Sequence, residues 1–212
     1  METKEILEKV RSGEISVDTA EKFFRQKPFE DLGFAKLDTH RKIRTGFGEV
    51  VFCSGKRDAH LKQIFQKLAE KEGNVLGTRA SREQFELIRT LCPDAVYDPL
   101  ARLVKVIRKP VELRGSVAVC TAGTADIPVA EEAAQTAEFF GSKVNRVYDV
   151  GVSGLHRLLA SLDPIQEANC VIAVAGMEGA LPSVLGGLVS NPVIAVPTSI
   201  GYGASLQGIS AF

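Results

Sequence analysis

The sequence has no apolar stretch long enough to cross a bilayer, and its first residues, METKEILEKV, contain no apolar signal-peptide core. Its four cysteines, Cys53, Cys92, Cys120 and Cys170, form no C-x-x-C pair, and no histidine lies at metal-ligand spacing from them. These absences argue against a membrane protein, a disulfide framework and a zinc site. We therefore expect a cytoplasmic protein whose free thiols are small core residues.

The net charge of the chain is zero, because 26 basic side chains balance 26 acidic ones. The two halves of the chain nevertheless differ in charge. Residues 1–110 carry 22 basic and 17 acidic side chains, whereas residues 111–212 carry 4 and 9. This asymmetry indicates two modules that pack on each other or on neighbouring subunits. The basic residues interleave with acids at helical spacing and accompany no aromatic–basic motif, so we expect a solvated face and no nucleic-acid partner.

The first half predicts a small α+β domain over residues 1–112. Its start reads as a helical hairpin, Lys4–Arg11 and Val17–Gln26, with Ser16 as the N-cap of the second helix. A basic turn, HRKIRTGFG, separates the first two predicted strands. The remaining predicted helices are Asp58–Lys71 and Ser81–Leu91, and the predicted strands are Phe34–Asp38, Glu49–Cys53, Asn74–Thr78, Ala95–Tyr97 and Leu103–Ile107.

Strands and helices alternate over residues 113–212, which predicts a doubly wound parallel sheet of α/β class. The runs VAVC, VIAVA and VIAV are continuously apolar, as in strands buried on both faces. Ligands of such sheets bind where the strands end, so loops 121–127, 151–154, 176–181 and 197–204 are the candidate site. Predicted strands are Val117–Cys120, Asn145–Val150, Val171–Ala175 and Val193–Val196, and predicted helices are Pro128–Phe140, Leu155–Ser161 and Leu181–Val189.

Two of these loops, TAGTADIP (121–128) and PTSIGYGAS (197–205), combine small residues with hydroxyl side chains. Such loops let backbone N–H groups approach a phosphate, and a helix N-terminus adds partial positive charge. The alternative for the first loop is a capped turn that binds nothing. The candidate substrate-binding residues are Thr121, Gly123, Thr124, Asp126, Thr198, Ser199 and Gly201.

The loop AGMEGALP (175–182) contains Glu178, the single charged residue between Val171 and Phe212. A carboxylate among apolar walls has a raised pKa that suits proton transfer, so Glu178 is a candidate catalytic base. Gly176 and Met177 in the same loop are candidate substrate-binding residues. The alternative is a capping or solvated carboxylate. In the loop DVGVSGLHR (149–157), His156 is a fallback base or a structural hydrogen-bonding residue, and Arg157 pairs with Asp149 or with a ligand phosphate.

Together, the strings AGTAD with PVAEEAA, DVGVSGLHRLL, AGMEGALPSVLGGL and PVIAVPTSIGYGAS resemble the LarB family, the carboxylase/hydrolase of nickel-pincer nucleotide cofactor biosynthesis. The similarity extends upstream through KLDTHRKIRTGFGEVVF at residues 36–52. The C-terminal half more distantly resembles N5-carboxyaminoimidazole ribonucleotide mutase of purine synthesis. That enzyme has a catalytic histidine before Leu-Pro, where this chain has Ala180 and no histidine in the loop, which counts against mutase chemistry.

The resemblance implies carboxylation of the pyridinium ring of nicotinic acid adenine dinucleotide at C5 and hydrolysis of its phosphoanhydride. The products are pyridinium-3,5-biscarboxylic acid mononucleotide and AMP. It also implies carbon dioxide or bicarbonate as co-substrate, Mg²⁺ at the phosphates, no organic cofactor, and a homo-octamer like the related mutase. The alternatives are an aminoimidazole ribonucleotide mutase and a non-catalytic nucleotide-binding module.

In this family the reaction is covalent, since a cysteine thiolate adds to the ring. The resemblance places that cysteine in an Asn-Ser-Cys segment after the helix that Ser205–Phe212 begins, and none of the four cysteines matches it. We therefore expect the sequence to be truncated, and the 212-residue chain to bind substrate without turnover.

Overall fold

The structure is a computed structural model that describes residues 3–25 and 28–201. It opens with two helices in contact, α1 (Thr3–Arg11) and α2 (Val17–Phe24), which confirms the predicted hairpin. Ser16 is the N-cap of α2, and its Oγ accepts the Thr19 backbone N–H at 3.1 Å. The helix predicted to begin at Ser205 and the end of Val17–Gln26 lie outside the described residues.

The first module contains a two-stranded antiparallel sheet and a four-stranded mixed sheet. A buried apolar cluster that includes Phe65, Ile88 and Val104 lies between the four-stranded sheet and its helices. In chain order the elements are β1 (Phe29–Asp31), β2 (Lys36–Asp38), α3 (Arg41–Thr45), β3 (Val50–Phe52), α4 (Asp58–Glu72), β4 (Val75–Thr78), α5 (Arg82–Arg89), β5 (Val96–Asp98) and β6 (Leu103–Val106). The sheet order is β3-β4-β6-β5, with β3 and β4 parallel and the other pairs antiparallel.

Two elements of this module differ from the prediction. The strand β1 was not predicted, because three residues are too few to show a two-residue period. The basic segment predicted as a turn contains the helix α3, which ends at Gly46 with a φ of 81°. Arg44 in α3 donates two hydrogen bonds to the Asp38 carboxylate, at 3.1 and 2.6 Å, so a tertiary contact stabilises a helix too short to form by itself.

The second module is a four-stranded, all-parallel sheet in the order β10-β9-β7-β8. One face packs on α6 through Val119, Ala130 and Ala134, and the other packs on helices that contribute Leu158 and Leu185. Its elements are β7 (Ser116–Thr121), α6 (Ile127–Phe139), β8 (Lys143–Val147), α7 (Leu155–Ala160), α8 (Asp163–Gln166), β9 (Cys170–Ala175), α9 (Ala180–Leu188) and β10 (Val193–Pro197). Helices on both faces of a parallel sheet confirm the predicted fold class, a doubly wound α/β unit after a smaller α+β part.

The strand β10 corrects one prediction. Its apolar sequence predicted burial on both faces, yet Ile194 is 51% exposed and Ala195 is also exposed. The reason is position, because β10 is the edge strand of this sheet within residues 3–25 and 28–201. An apolar run alone does not distinguish a central strand from an edge strand.

Helix α6 also contacts the first module. Phe139 packs with Phe140 against the buried side chains of Leu76 and Leu103. Gln135 is 7% exposed, and its Nε2 donates to Asp98 Oδ2 at 2.8 Å. The two sheets therefore share α6, and segment 107–115 joins them along the chain. Among the described residues, the structure contains no helix with the length and apolarity needed to cross a membrane.

Candidate functional site

The strand order creates a crevice at the carboxyl end of β7 and β9. The chain leaves β7 for β8 on one side and later places β9 on the other side of β7. The loops after β7 and β9 therefore diverge, and this switch point is where open α/β sheets bind their ligands. The loop after β10 lies beside them, since Thr198 N–H donates to Ala175 O at 3.0 Å.

Asp126 and Thr198 connect the first and last of these loops. Thr198 Oγ1 donates to Asp126 Oδ1 at 2.8 Å, and Asp126 Oδ2 accepts the Gly123 backbone N–H at 3.1 Å. The two side chains belong to residues that are only 3% and 7% exposed. Asp126 was predicted to contact ribose or phosphate, and that contact stays a prediction; in the structure each of its oxygens accepts one hydrogen bond, which also positions the loop.

Thr121 also lies behind the crevice. It is fully buried, and its Oγ1 accepts the Asp149 backbone N–H at 3.0 Å. Asp149 has a φ of 60°, and its Oδ2 accepts a hydrogen bond from Arg157 Nη1 at 2.5 Å. Of the two partners left open for Arg157, the structure therefore shows Asp149. Gly151 permits this packing, because a Cβ there would lie 2.5 Å from Ala122 O.

The loop after β9 fits closely against the loop after β10. Met177 N–H donates to Ile200 O at 2.7 Å, and a Cβ at Gly176 would collide with that carbonyl and lie 2.7 Å from Thr198 Oγ1. Met177 has a φ of 54°, which is unusual for a residue with a side chain, and Gly179 follows with 61°. Gly176 is thus required for the close approach of the two loops.

Several predicted site side chains are exposed at this edge of the sheet, among them Met177, which is 37% exposed. Thr124, Glu178 and Ser199 are exposed, and each lies in a loop after a strand of the parallel sheet. Glu178 was predicted to have apolar walls, and its exposure in the described structure differs from that expectation because the turn 177–178 projects beyond the strand ends. Its catalytic role stays a prediction, as do ligand contacts by Gly123 and by Gly201.

His156 is exposed on α7, and its side chain forms no hydrogen bond with any described residue. The structural role that we considered for it is therefore not seen in the described part of the chain. Its role as fallback base remains a prediction.

The cysteines are not placed to act as nucleophiles at the crevice. Burial raises the pKa of the Cys53 and Cys120 thiols to about 12, and it also raises the pKa of Cys92. Cys170 is the first residue of β9 and so lies at the amino end of the sheet, opposite the crevice. Cys53, Cys92 and Cys120 are buried, as expected of core thiols, whereas Cys170 is only partly buried.

Metal ligands are also scarce in the described part of the chain. Within residues 3–25 and 28–201, the structure brings together no group of three His, Cys, Asp or Glu side chains that could hold a metal ion. Asp126, the carboxylate in the first loop, accepts one hydrogen bond on each oxygen. The residues described do not build a protein cage for Mg²⁺.

The fold and the crevice define a flavodoxin-like α/β protein, and comparison with known proteins identifies its family. Residues 29–109 match the LarB/PurE-like N-terminal domain, and residues 116–211 match the AIR carboxylase domain. The chain belongs to the LarB family, whose members are carboxylase and mutase enzymes. This confirms the resemblance read from its loops.

Two relatives come from Methanocaldococcus jannaschii. One is described as an uncharacterized protein and is 38% identical over 213 residues, covering 96% of this chain and 83% of the relative. The other is N5-carboxyaminoimidazole ribonucleotide mutase, which is 31% identical over 98 residues, covering 45% of this chain and 57% of the mutase. The second similarity supports the predicted relation of one half of the chain to that mutase.

Proposed function

We propose that this protein carboxylates nicotinic acid adenine dinucleotide at C5 of its pyridinium ring and hydrolyses the phosphoanhydride. The observation that carries this proposal is the loop between β9 and α9. It presents an exposed carboxylate, Glu178, at the switch point and contains no histidine. Membership of the LarB family supports the same reaction.

The chemistry needs a base in this place. Addition of a thiolate to the pyridinium ring makes the ring electron-rich, and the ring carbon C5 then forms a bond to carbon dioxide. The hydrogen on C5 must leave as a proton before the carbon–sulfur bond breaks and the ring regains aromaticity. Glu178 is the only charged side chain from Val171 onward, so it is our candidate acceptor of that proton.

In this proposal the glycine-containing loops bind the phosphates of the dinucleotide. Backbone N–H groups of the first loop precede α6, so the N-terminal end of this helix faces the same edge of the sheet. Mg²⁺ commonly binds through substrate phosphates and water with one or two carboxylates, so we expect the dinucleotide to bring most of its ligands. Loss of hydrolysis with EDTA, and recovery with added Mg²⁺, would support this expectation.

The direct test is incubation of the full-length protein with nicotinic acid adenine dinucleotide and isotope-labelled bicarbonate, followed by mass spectrometry. We expect AMP and a biscarboxylated mononucleotide that carries the label. Isothermal titration measures dinucleotide binding separately from turnover. Absence of binding would contradict the proposal, whereas binding without product would favour a non-catalytic nucleotide-binding module.

A second candidate is aminoimidazole ribonucleotide mutase activity, which the similarity to the mutase of M. jannaschii favours. The missing histidine in the β9–α9 loop argues against it. The same assay with N5-carboxyaminoimidazole ribonucleotide distinguishes the two. Isomerisation of that ribonucleotide, with no labelled product from the dinucleotide, would establish the mutase.

A further inference from the structure

A second cavity, distinct from the crevice, lies at the edge of the mixed sheet in the first module. It has a volume of about 330 Å³. The parallel strands β3 and β4 end at this edge, and the antiparallel strand β6 begins there. Its lining residues are Phe52, Ser54, Arg79, Arg102 and Glu132.

The two arginines give the cavity a positive charge. Arg79 Nε lies 2.8 Å from Glu132 Oε2, which fixes the guanidinium and leaves its two terminal nitrogens without a hydrogen bond to a described residue. The guanidinium of Arg102 forms no ion pair within residues 3–25 and 28–201, and its hydrogen bonds, to the backbone carbonyls of Ala80 and Arg79, are both long at 3.4 Å. Two guanidiniums against one carboxylate leave unsatisfied donors that suit an anion.

The backbone at both arginines is strained. Arg79 and Arg102 have φ values of 54° and 55°, and they are two of the four non-glycine residues with positive φ in the described structure. The other two, Asp149 and Met177, lie at the switch-point edge of the parallel sheet. Non-glycine residues with positive φ concentrate at ligand-binding sites. Here one pair of such residues lies at an edge of each sheet.

One backbone hydrogen bond stabilises the backbone at the two arginines: Ala80 N–H donates to Arg102 O at 2.9 Å. It ties the segment after β4 to the segment before β6. The two guanidiniums are therefore attached to connected backbone.

The remaining lining residues indicate what accompanies the anion. Phe52 is 56% exposed at the end of β3, so its ring offers an apolar face on which an aromatic base can stack. The exposed hydroxyl of Ser54 can donate to a phosphate oxygen, and Glu132 can accept from a sugar hydroxyl. The cavity volume is at the lower end of small-molecule sites, roughly 300–1,000 Å³, which suits one nucleotide unit.

We propose that this cavity binds a nucleoside monophosphate, with Arg79 and Arg102 on the phosphate and Phe52 on the base. The inference does not depend on the proposed carboxylase activity. The cavity lies near the crevice, because Glu132 is in α6, five residues after its first residue Ile127. At a rise of about 1.5 Å per residue, that separation is roughly 7.5 Å along the helix. The bound unit is therefore either a free monophosphate or one half of a dinucleotide.

The test measures binding of AMP, inorganic phosphate and adenosine to the full-length protein by isothermal titration. Arg79→Asn and Arg102→Asn remove the guanidiniums, and asparagine tolerates a positive φ better than most side chains. We expect each variant to bind AMP about 10- to 100-fold more weakly, since a charged hydrogen-bond partner is lost. Phe52→Leu should weaken AMP and adenosine binding but leave phosphate binding unchanged.

The matched control is Arg89→Asn, at an exposed arginine of α5 that lies outside the cavity lining. It should leave AMP binding unchanged. Thermal melting establishes which variants fold. If an arginine variant does not fold, the variants Phe52→Leu and Ser54→Ala still test the cavity. An unchanged AMP affinity in folded cavity variants, or no AMP binding by the unsubstituted protein, would overturn the proposal.

A last titration, with nicotinic acid adenine dinucleotide, separates the two sources of the ligand. If the arginine variants lose affinity for AMP and for the dinucleotide together, the cavity holds one half of the dinucleotide. If they lose affinity for AMP alone, the cavity is a separate monophosphate site. Both results support the binding site, and neither requires turnover.

Discussion

At the scale of single residues, the main feature of the candidate site is the buried hydrogen bond between Thr198 and Asp126. It joins two loops that are 72 residues apart in sequence. A buried carboxylate that loses a donor retains the cost of its desolvation. The contact therefore positions the first loop, and its removal should affect stability as well as ligand binding.

We expect Thr198→Val to lower the free energy of unfolding by about 1–3 kcal/mol, because Asp126 Oδ1 then lacks its donor. Urea unfolding followed by circular dichroism measures this change. Ser199→Ala is the control, since the neighbouring exposed hydroxyl should contribute within about 0.5 kcal/mol. Equal stability of the two variants would show that the buried bond does not brace the loops.

The second residue-scale prediction concerns Glu178. Glu178→Gln should retain dinucleotide binding, while formation of carboxylated product by the full-length enzyme falls by ~10²-fold or more, the usual scale of general base catalysis. Glu167→Gln is a matched control, because Glu167 is an exposed acid just before β9, at the opposite edge of the sheet. Product formation near that of the unsubstituted enzyme would assign the base to His156 or to water.

At the scale of elements, α6 is held to β8 by a charged cluster. Arg146 of β8 donates to Glu131 at 2.9 Å and to Glu138 at 2.5 Å, both in α6, and Tyr148 Oη donates to Glu131 at 2.8 Å. Burial opposes ionisation of Glu131, but hydrogen bonds from Arg146, Gln135 and Tyr148 outweigh it and hold its pKa below the usual value.

This lowered pKa predicts a dependence of stability on pH. A carboxyl group with a lower pKa in the folded state stabilises the fold above its unfolded pKa of about 4.3, and this contribution is lost as the pH falls through the folded pKa. Glu131→Gln should therefore lower the free energy of unfolding at neutral pH and by much less in acid. Urea unfolding across this pH range measures both values. If Glu131→Gln lowered the free energy of unfolding equally at neutral and at acidic pH, Glu131 would contribute through packing alone.

Individual elements show how far the sequence predicted the fold. The helix over Asp58–Lys71 was predicted almost to the residue, because its apolar side chains recur at helical spacing and Gly73 ends it. The helix α3 was not, since it depends on Arg44 reaching Asp38. Local periodicity predicts an element when its own residues bury a face, and fails when a distant partner stabilises it.

At the scale of the whole molecule, the apolar edge strand β10 bears on assembly. Ile194 is 51% exposed on this strand and Met177 is 37% exposed in the loop before α9. By resemblance to the related mutase we propose a homo-octamer in which subunits cover this region. Multi-angle light scattering should show the octamer at micromolar concentration.

Ile194→Asp is expected to weaken this assembly, because a carboxylate would be buried in an apolar contact. Ile107→Asp is the control, at a position of similar exposure, 52%, in the segment that joins the two sheets. A stable monomer of the unsubstituted protein would refute the octamer.

The sequence by itself determined the two modules, the strand–helix alternation and the loops that bear the candidate site. These follow from local causes, namely apolar period, caps and turn residues, which act over a few positions of the chain. The tertiary structure decided which side chains in those loops are buried and which are exposed. Asp126 and Thr121 are buried and hydrogen-bonded to neighbouring loops, while Thr124 and Glu178 are exposed. The tertiary structure also brings Arg79 and Arg102 together. They are 23 residues apart in sequence and meet only because β4 and β6 pair. A hydrogen bond between distant residues depends on strand register and packing, which no local pattern of residues encodes.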